Sequence, residues 1–248
     1  MEYIRVTKEN LEREHICCAI SNNKDIQVSS KKAWLADCFD DGLVFLKSVE
    51  RGKCFIEYIP AEKAWVPIIA DGWIYIDCLW VSGAFKGHGY STELLDSCIA
   101  DSREKGKKGL CILSSEKKRG FLADPKFLAH KGFSVCDESD CGVQLWCLPF
   151  SSDAVLPRFS ESARHPRVEA PGFVLYYTNQ CPFTAKYVPV IESIARERQL
   201  PFKSVRLESG ESARSAPTPT TTYTLFRDGV YLTNEILSDK KFLKLVQE

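Results

Sequence analysis

Residues 73–91 read WIYIDCLWVSGAFKGHGYS, and this stretch decides the fold. Its first half, Trp73–Val81, is rich in aromatic and branched side chains, which predicts a long strand. A short basic loop with three glycines follows, and the apolar positions after it predict a helix over Tyr90–Lys105. Backbone N–H groups at such a helix start are unpaired and lie at the positive end of the helix dipole. The stretch therefore predicts a site for a pyrophosphate.

The glycines of this loop do not complete either of two common nucleotide-binding patterns. The dinucleotide pattern G-x-G-x-x-G needs a third glycine, whereas this loop has only Gly87 and Gly89 in the required spacing. A Walker loop is absent from the chain. A plain strand–turn–helix corner without a ligand is the alternative interpretation.

The elements on both sides of this stretch predict a mixed α/β domain over residues 1–150. Its further strands are expected at Glu2–Val6, Gly42–Val49, Cys54–Ile59, Gly109–Ser114, Phe133–Val135 and Val143–Leu148. Helices are expected over Lys31–Cys38 and Asp124–Lys131. Another helix is expected from Lys8 under a Thr7 cap, with Leu11, His15 and Cys18 near one face.

The segment from Leu79 to Ser91 resembles the acetyl-CoA loop of GNAT acetyltransferases, usually written Q/R-x-x-G-x-G/A. Lys86 stands where the family has Arg or Gln, and Ser91 where it has Gly or Ala, but both keep donors for phosphate. The later stretch Phe127–Phe133, FLAHKGF, is similar to the family's last helix with its Gly-Phe ending. The resemblance covers residues 1–150. It implies a GNAT fold, acetyl-CoA as co-substrate, and a small-molecule or protein amine as acceptor.

The same resemblance implies which residues hold the cofactor. In the family the strand before the loop splays from its neighbour, and pantetheine pairs with the exposed main chain, here that of Leu79, Trp80 and Val81. The pyrophosphate site then comprises Lys86, Gly87, His88, Gly89, Tyr90 and Ser91. The basic run Lys117–Arg119 either reaches the 3′-phosphate or forms a solvated loop.

Acetyl transfer to an amine requires a base for the amine proton and a donor for the oxyanion. Asp77, beside the implied splay, is the candidate base, with a solvated strand position as the alternative. The backbone N–H near Leu79 is the candidate donor. Many relatives use a tyrosine at one position of the last helix as the acid that protonates the departing thiolate. This chain has Leu128 at that position, so either His130 or Cys78 is the acid, or the thiolate leaves unassisted.

After residue 150 a polar, proline-broken stretch predicts a linker over 151–171 and a second domain over 172–248. The order of elements in this second domain is strand, helix, strand, loop, hairpin and helix. It resembles the thioredoxin/glutaredoxin fold, with Cys181–Thr184, CPFT, in place of Cys-Pro-x-Cys. Pro217 or Pro219 is the candidate cis-proline of that fold.

A cysteine at a helix N-terminus is expected to have a depressed pKa, and this applies to Cys181. Thr184 replaces the resolving thiol, which leaves monothiol chemistry with glutathione, or a role in docking, dimerisation or shaping the acceptor pocket. The combination of both domains resembles the YoaP-type acetyltransferases over nearly the whole chain. An N-acetyltransferase is thus the favoured function. A redox protein centred on Cys181 and a non-catalytic acyl-CoA-binding scaffold are the alternatives.

Composition argues against several classes of partner. The chain carries 33 basic and 33 acidic residues, so no net charge favours nucleic acid or an anionic membrane. Its 11 cysteines include no C-x-x-C pair and its 4 histidines lie far apart, so no metal is expected. Neither a signal peptide nor a transmembrane run is apparent, which predicts a cytoplasmic protein. A homodimer is one possible assembly of the chain.

Overall fold

The computed structural model describes residues 1–18 and 24–247, and its strands form three sheets. The strands are β1 Tyr3–Val6, β2 Val44–Ser48, β3 Cys54–Pro60, β4 Ile68–Ile69, β5 Ile74–Val81, β6 Gly109–Ser115, β7 Ser134–Glu138, β8 Val143–Pro149, β9 Arg158–Phe159, β10 Phe173–Tyr177, β11 Phe202–Arg206, β12 Tyr223–Arg227 and β13 Val230–Thr233. The helices are α1 Ile26–Asp40, α2 Tyr90–Glu104, α3 Pro125–His130, α4 Glu161–Arg164, α5 Pro182–Glu197, α6 Gly210–Arg214 and α7 Asp239–Gln247. Short 3₁₀ segments cover Ala61–Lys63 and Gly83–Phe85.

The largest sheet has seven strands in the order β1-β2-β3-β5-β6-β8-β7. All of its neighbours are antiparallel except β5 and β6, which are parallel because the crossover helix α2 joins them. These two strands pair only at Ile74 with Leu110 and at Tyr75 with Cys111, although both continue further. They therefore diverge beyond Tyr75.

Helices cover both faces of this sheet and bury its apolar side chains. On one face, Leu94, Leu95 and Cys98 of α2 are fully buried against β3, β5 and β6. On the other, α1 packs through Leu35 and Cys38. Each fully buried leucine contributes roughly 1.5–3 kcal/mol relative to exposure, so the predicted stripe of α2 holds the helix in place. The start of α2 is thereby fixed at the end of β5.

A second sheet contains four strands in the order β11-β10-β12-β13. Strands β10 and β11 are parallel, whereas the other neighbours are antiparallel. The helices α5 and α7 pack together over it through Val188, Ile191 and Phe242. Ser238 lies at the start of α7, where its side chain accepts a hydrogen bond from the N–H of Lys241 at 3.4 Å.

The segment 151–171 is more ordered than the linker that the sequence predicts. It carries β9, which pairs with β4, and α4, and it buries Phe159 and Ala163 in the core of the seven-stranded sheet. The same core includes Leu207 and Ala213 from the C-terminal part of the chain. A two-residue strand has no periodicity to detect, so only the packing of its side chains reveals that the segment is fixed.

Two local predictions are wrong. Residues 8–14 form turns rather than a helix, because the side chain of Asn10 accepts from the N–H of Thr7 at 2.8 Å and donates to Arg5 O at 3.0 Å. All peptide bonds of the described residues are trans, so neither Pro217 nor Pro219 is a cis-proline. Hydroxyl contacts with Thr224 shape that loop instead.

The strands and the other helices predicted for residues 1–150 occur with shifted ends, and α1 is longer than expected. Within residues 1–18 and 24–247, none of the helices combines the length and the apolarity that crossing a bilayer requires.

Candidate active site

The diverging ends of β5 and β6 form a cleft at the centre of the seven-stranded sheet. The first three residues of β5 are buried, whereas the residues from Asp77 to Val81 are partly exposed. On their other edge, Leu79, Trp80 and Val81 pair with β3. Their edge toward β6 has no strand partner among the described residues, and such an edge can bind extended ligands through main-chain hydrogen bonds. The geometry thus provides the splay that the family resemblance implies.

A shift of register in β5 lies beside this cleft. Tyr58 of β3 pairs with Ile76 and the preceding Glu57 pairs with Cys78, so Asp77 is an extra residue with no opposite partner. Bulges of this kind bend a strand and redirect one side chain, and they are frequent next to active sites. The bulge places the candidate base at the point where the strands separate.

The glycine loop connects the cleft to the start of α2. Gly83, Gly87 and Gly89 have φ values of 67°, 87° and 80°, which favour glycine. Gly89 is the N-cap of α2, and within the described part of the chain no side chain caps this helix. A Cβ at Gly87 or Gly89 would meet no atom within 4 Å, so the loop backbone borders open space. Lys86 and His88 are exposed beside it, and Ser91 occupies the first turn.

Aromatic packing holds this loop in its conformation. Phe85 is buried against Gly52, where any Cβ would collide with its ring. Tyr90 packs edge-on to Phe85 with ring centroids 6.2 Å apart and stacks on His88 at 5.5 Å. The packing of Phe85 and Tyr90 therefore fixes the loop, while Gly87 and Gly89 remain exposed.

Four side chains from separate parts of the chain meet near the bulge, and we call Lys31, Glu57, Asp77 and Gln180 the charged junction. Lys31 of α1 and Glu57 of β3 form an ion pair of 2.7 Å, and their side chains are only 2% and 1% exposed. Burial alone lowers the pKa of Lys31, but the Glu57 carboxylate outweighs burial and the pKa of Lys31 is raised. The ammonium therefore stays charged and compensates Glu57.

Asp77 is the second carboxyl group of the charged junction. Burial raises the pKa of Asp77 well above its ordinary value, and the proximity of Glu57 raises it further. Lys31 and the hydrogen bond from Gln180 lower it by smaller amounts. Since two carboxyl groups share one ammonium, a proton on Asp77 avoids an uncompensated buried negative charge.

Gln180 reaches Asp77 from the loop between β10 and α5. Its Nε2 donates to Asp77 Oδ1 at 2.9 Å, and Thr222 Oγ1 donates to Gln180 Oε1 at 3.0 Å. The other oxygen, Asp77 Oδ2, is buried and makes no hydrogen bond within residues 1–18 and 24–247. One carboxyl oxygen is thus held by the C-terminal part of the chain, whereas the hydrogen-bonding capacity of the other is unused within those residues.

Of the other predicted residues, His130 and Arg119 lie outside this arrangement, whereas Cys78 lies close to it. His130 is exposed at the end of α3 and has no described contact with the charged junction, so the geometry does not support it as an acid. Leu128 is buried at 2% exposure. Burial raises the pKa of Cys78 well above its ordinary value, so this thiol keeps its proton. Arg119 donates through Nη1 to Cys141 O at 3.0 Å instead of extending into solvent.

The predicted depression of the Cys181 pKa is wrong. Burial raises the pKa of Cys181 to about 11, and this effect outweighs the backbone hydrogen bond from Phe183 at the start of α5. Its charge and that of Cys78 also raise the pKa of Cys18, so the thiols around the cleft oppose each other's ionisation. A helix N-terminus activates a thiol only when water can also reach the thiolate.

Sequence reasoning did not predict that Lys31, Glu57 and Gln180 surround the candidate base. A charged residue inside the apolar run Cys54–Ile59 was an available signal, because an isolated buried carboxylate needs a partner. Lys31 lies in a predicted helix, but nothing local links it to β3. No sequence pattern indicated Gln180, because its partner Asp77 lies 103 residues away in the sequence.

Two family models match the chain. Residues 9–121 match the acetyltransferase (GNAT) family, and residues 201–244 match the YoaP-like family. The Bacillus subtilis (strain 168) protein named "Uncharacterized N-acetyltransferase YoaP" is 41% identical over 247 residues, which cover 99% of this chain and 98% of that protein. The chain belongs to the GNAT family of acetyl-CoA-dependent N-acetyltransferases. The family prediction from the glycine loop is confirmed.

Solved structures of other GNAT proteins resemble part of this chain. A GNAT family acetyltransferase from Brucella melitensis in complex with acetyl-CoA is 15% identical, with a TM-score of 0.40 over 64% of this chain and 92% of that one. The PaiA N-acetyltransferase from Thermoplasma acidophilum in complex with coenzyme A is 14% identical, with a TM-score of 0.42 over 60% and 100%.

Proposed function

We propose that the cleft between β5 and β6 binds acetyl-CoA and transfers its acetyl group directly to an amine. The observation that carries this proposal is the divergence of the two strands beside the uncapped start of α2. The pantetheine arm extends along the free edge at Leu79, Trp80 and Val81. The pyrophosphate accepts hydrogen bonds from the N–H groups of the loop from Gly87 to Ser91, aided by Lys86.

In this proposal Asp77 is the general base. The carboxyl group of Asp77 must first lose the proton that burial favours. The resulting carboxylate takes a proton from the amine through Oδ2, the nitrogen forms a bond to the thioester carbonyl, and the C–S bond then breaks. The backbone N–H near Leu79 donates to the oxyanion, and coenzyme A leaves as the thiolate. The raised pKa of Asp77 suits this role because it brings the carboxylate closer in basicity to the amine.

The C-terminal part of the chain completes the acceptor side of this cleft. We assign it a thioredoxin-like domain over residues 172–248, and its strand order with one parallel pair supports this assignment. Its loop before α5 supplies Gln180 to Asp77. Because Cys181 beside it has a raised pKa, the loop acts through hydrogen bonding and shape rather than through thiol chemistry.

Calorimetric titration with acetyl-CoA tests the cofactor site, and the chain provides a matched control for it. Gly89→Trp fills the loop at the start of α2, whereas Gly106→Trp places the same ring just beyond the end of that helix. Both glycines have positive φ, 80° and 64°, and both face open space, so the backbone strain is similar. We expect Gly89→Trp to abolish binding and Gly106→Trp to retain it. Equal affinity in the two variants would refute the proposed site.

A further inference from the structure

A cavity of about 700 Å³ lies between the seven-stranded and the four-stranded sheet, and it shares no lining residue with the cleft. Its walls come from the loop after β6, the β7–β8 turn, the segment 165–167 and β13. The volume falls within the roughly 300–1,000 Å³ that is common for small-molecule sites. Both parts of the chain are needed to form it.

The charges that line this cavity are predominantly positive. His165 Nδ1 lies 2.7 Å from Asp140 Oδ2, and this hydrogen bond raises the pKa of His165. Asp140 thus balances His165. Arg119 and Arg167 also line the cavity, and neither forms an ion pair with any carboxylate in the part of the chain that the structure describes. Two guanidinium groups therefore remain to be neutralised.

Arg119 is held in place before any ligand arrives. Its Nη1 donates to Cys141 O at 3.0 Å, and its positive charge lies close enough to the Tyr231 hydroxyl to oppose the rise in the pKa of Tyr231 that burial causes. Tyr231 in turn donates to Asn234 Oδ1 at 3.1 Å, and Asn234 Nδ2 donates to Gly120 O at 3.0 Å. This network ties the loop after β6 to β13. A guanidinium fixed in this way loses little rotational freedom when it binds a planar anion.

The position of Arg167 at the cavity is fixed by a main-chain contact with β13. Residue Arg167 pairs with Val230 of β13 in an isolated antiparallel bridge. Its side chain is exposed, and no hydrogen bond or ion pair engages it among residues 1–18 and 24–247. The guanidinium is free to turn toward a ligand in the cavity and to form a bidentate contact.

We propose that this cavity binds the carboxylate or phosphate group of a small molecule, with Arg119 and Arg167 as its donors. Guanidinium groups match both anions in geometry, and a concave site lowers the competition from water. The site is distinct from the pyrophosphate loop at α2, which binds through main-chain groups.

Calorimetric titration of the full chain with sodium phosphate and, separately, with succinate tests this proposal and distinguishes the two anions. Saturating coenzyme A is present throughout, so that the loop at α2 does not contribute. We expect saturable binding of at least one probe, weakened about 10-fold or more by Arg167→Gln, because hydrogen bonds to charged groups are of that strength. Arg119→Gln is expected to have a similar effect.

Arg158→Gln provides the matched control, because Arg158 is an exposed arginine of the same segment that does not line the cavity. It should leave the affinity unchanged. Absence of saturable binding by either probe would overturn the proposal, and so would an affinity that Arg167→Gln and Arg158→Gln alter equally. Coenzyme A occupies the cleft in both titrations. Absence of anion binding would therefore leave the proposed acetyl transfer intact, whereas a failure of the proposed acetyl transfer would be seen separately, as loss of coenzyme A binding.

Discussion

The proposed cofactor cleft and the charged junction both include residues of β5, but they are constructed differently. The cleft consists of main-chain groups and glycines that face open space, and most of its residues are close in sequence. The junction consists of buried and half-buried side chains from α1, β3, β5 and the loop before α5. Added bulk should therefore damage the cleft, whereas loss of a single charge or hydrogen bond should damage the junction.

The largest effect is expected from Lys31→Met, which leaves Glu57 buried without its partner. Breaking a buried ion pair costs about 3–5 kcal/mol, so the free energy of unfolding in urea should fall by that amount. Lys31→Met combined with Glu57→Met should recover most of the loss. Lys8→Met is the surface control: Lys8 pairs with Asp40 at 2.6 Å in the open, and its loss should cost less than about 1 kcal/mol. Equal losses in the Lys31 and Lys8 variants would contradict a buried ionic junction.

A smaller effect, on rate rather than stability, is expected from Asp77→Asn. Removing a general base slows proton transfer at least about 100-fold, while acetyl-CoA still binds through the main chain. Steady-state kinetics with an accepted amine and titration with acetyl-CoA separate the two effects. Asp96→Asn, at an exposed position of α2, is the control and should behave as the wild type. An unaltered pH–rate profile in the Asp77 variant would exclude Asp77 as base.

The smallest effect is expected from Gln180→Leu, and it concerns the pH dependence of the reaction. The hydrogen bond from Gln180 lowers the pKa of Asp77, so its removal should raise that pKa further. Activity requires the ionised carboxylate, and the acid limb of kcat/KM should therefore move to higher pH, with recovery in more alkaline solution. Asn179→Leu, in the same loop, should leave the limb in place. A uniform loss of activity at every pH would indicate a purely structural role for Gln180.

The difference between the cleft and the charged junction also explains which features could be predicted from the sequence. The glycine loop and the stripe of α2 are local features, since a few consecutive residues determine a helix start and its buried face. The element order around them then indicated the fold. The charged junction could not be predicted in this way, because the contact between Lys31 and Glu57 depends on how α1 packs across the sheet.

The two errors have different origins, one local and one tertiary. No helix begins after Thr7, because the side chain of Asn10 hydrogen-bonds the backbone of Thr7 and Arg5 and favours a turn. The expected thiolate at Cys181 failed because desolvation of the thiol raises its pKa, which helix position alone does not reveal. A local pattern predicts which groups are available, whereas tertiary packing determines which of them are charged.

The packed segment 151–171 has a consequence for proteolysis. Val155 and Leu156 are 79% and 50% exposed, so a protease reaches this stretch before it reaches Phe159, which is 1% exposed. A cut there leaves β9 paired with β4 and leaves Thr221 hydrogen-bonded to the carbonyl oxygen of Trp65. The two fragments would therefore remain associated in solution, and Gln180 would stay beside Asp77 although the chain between them had been severed.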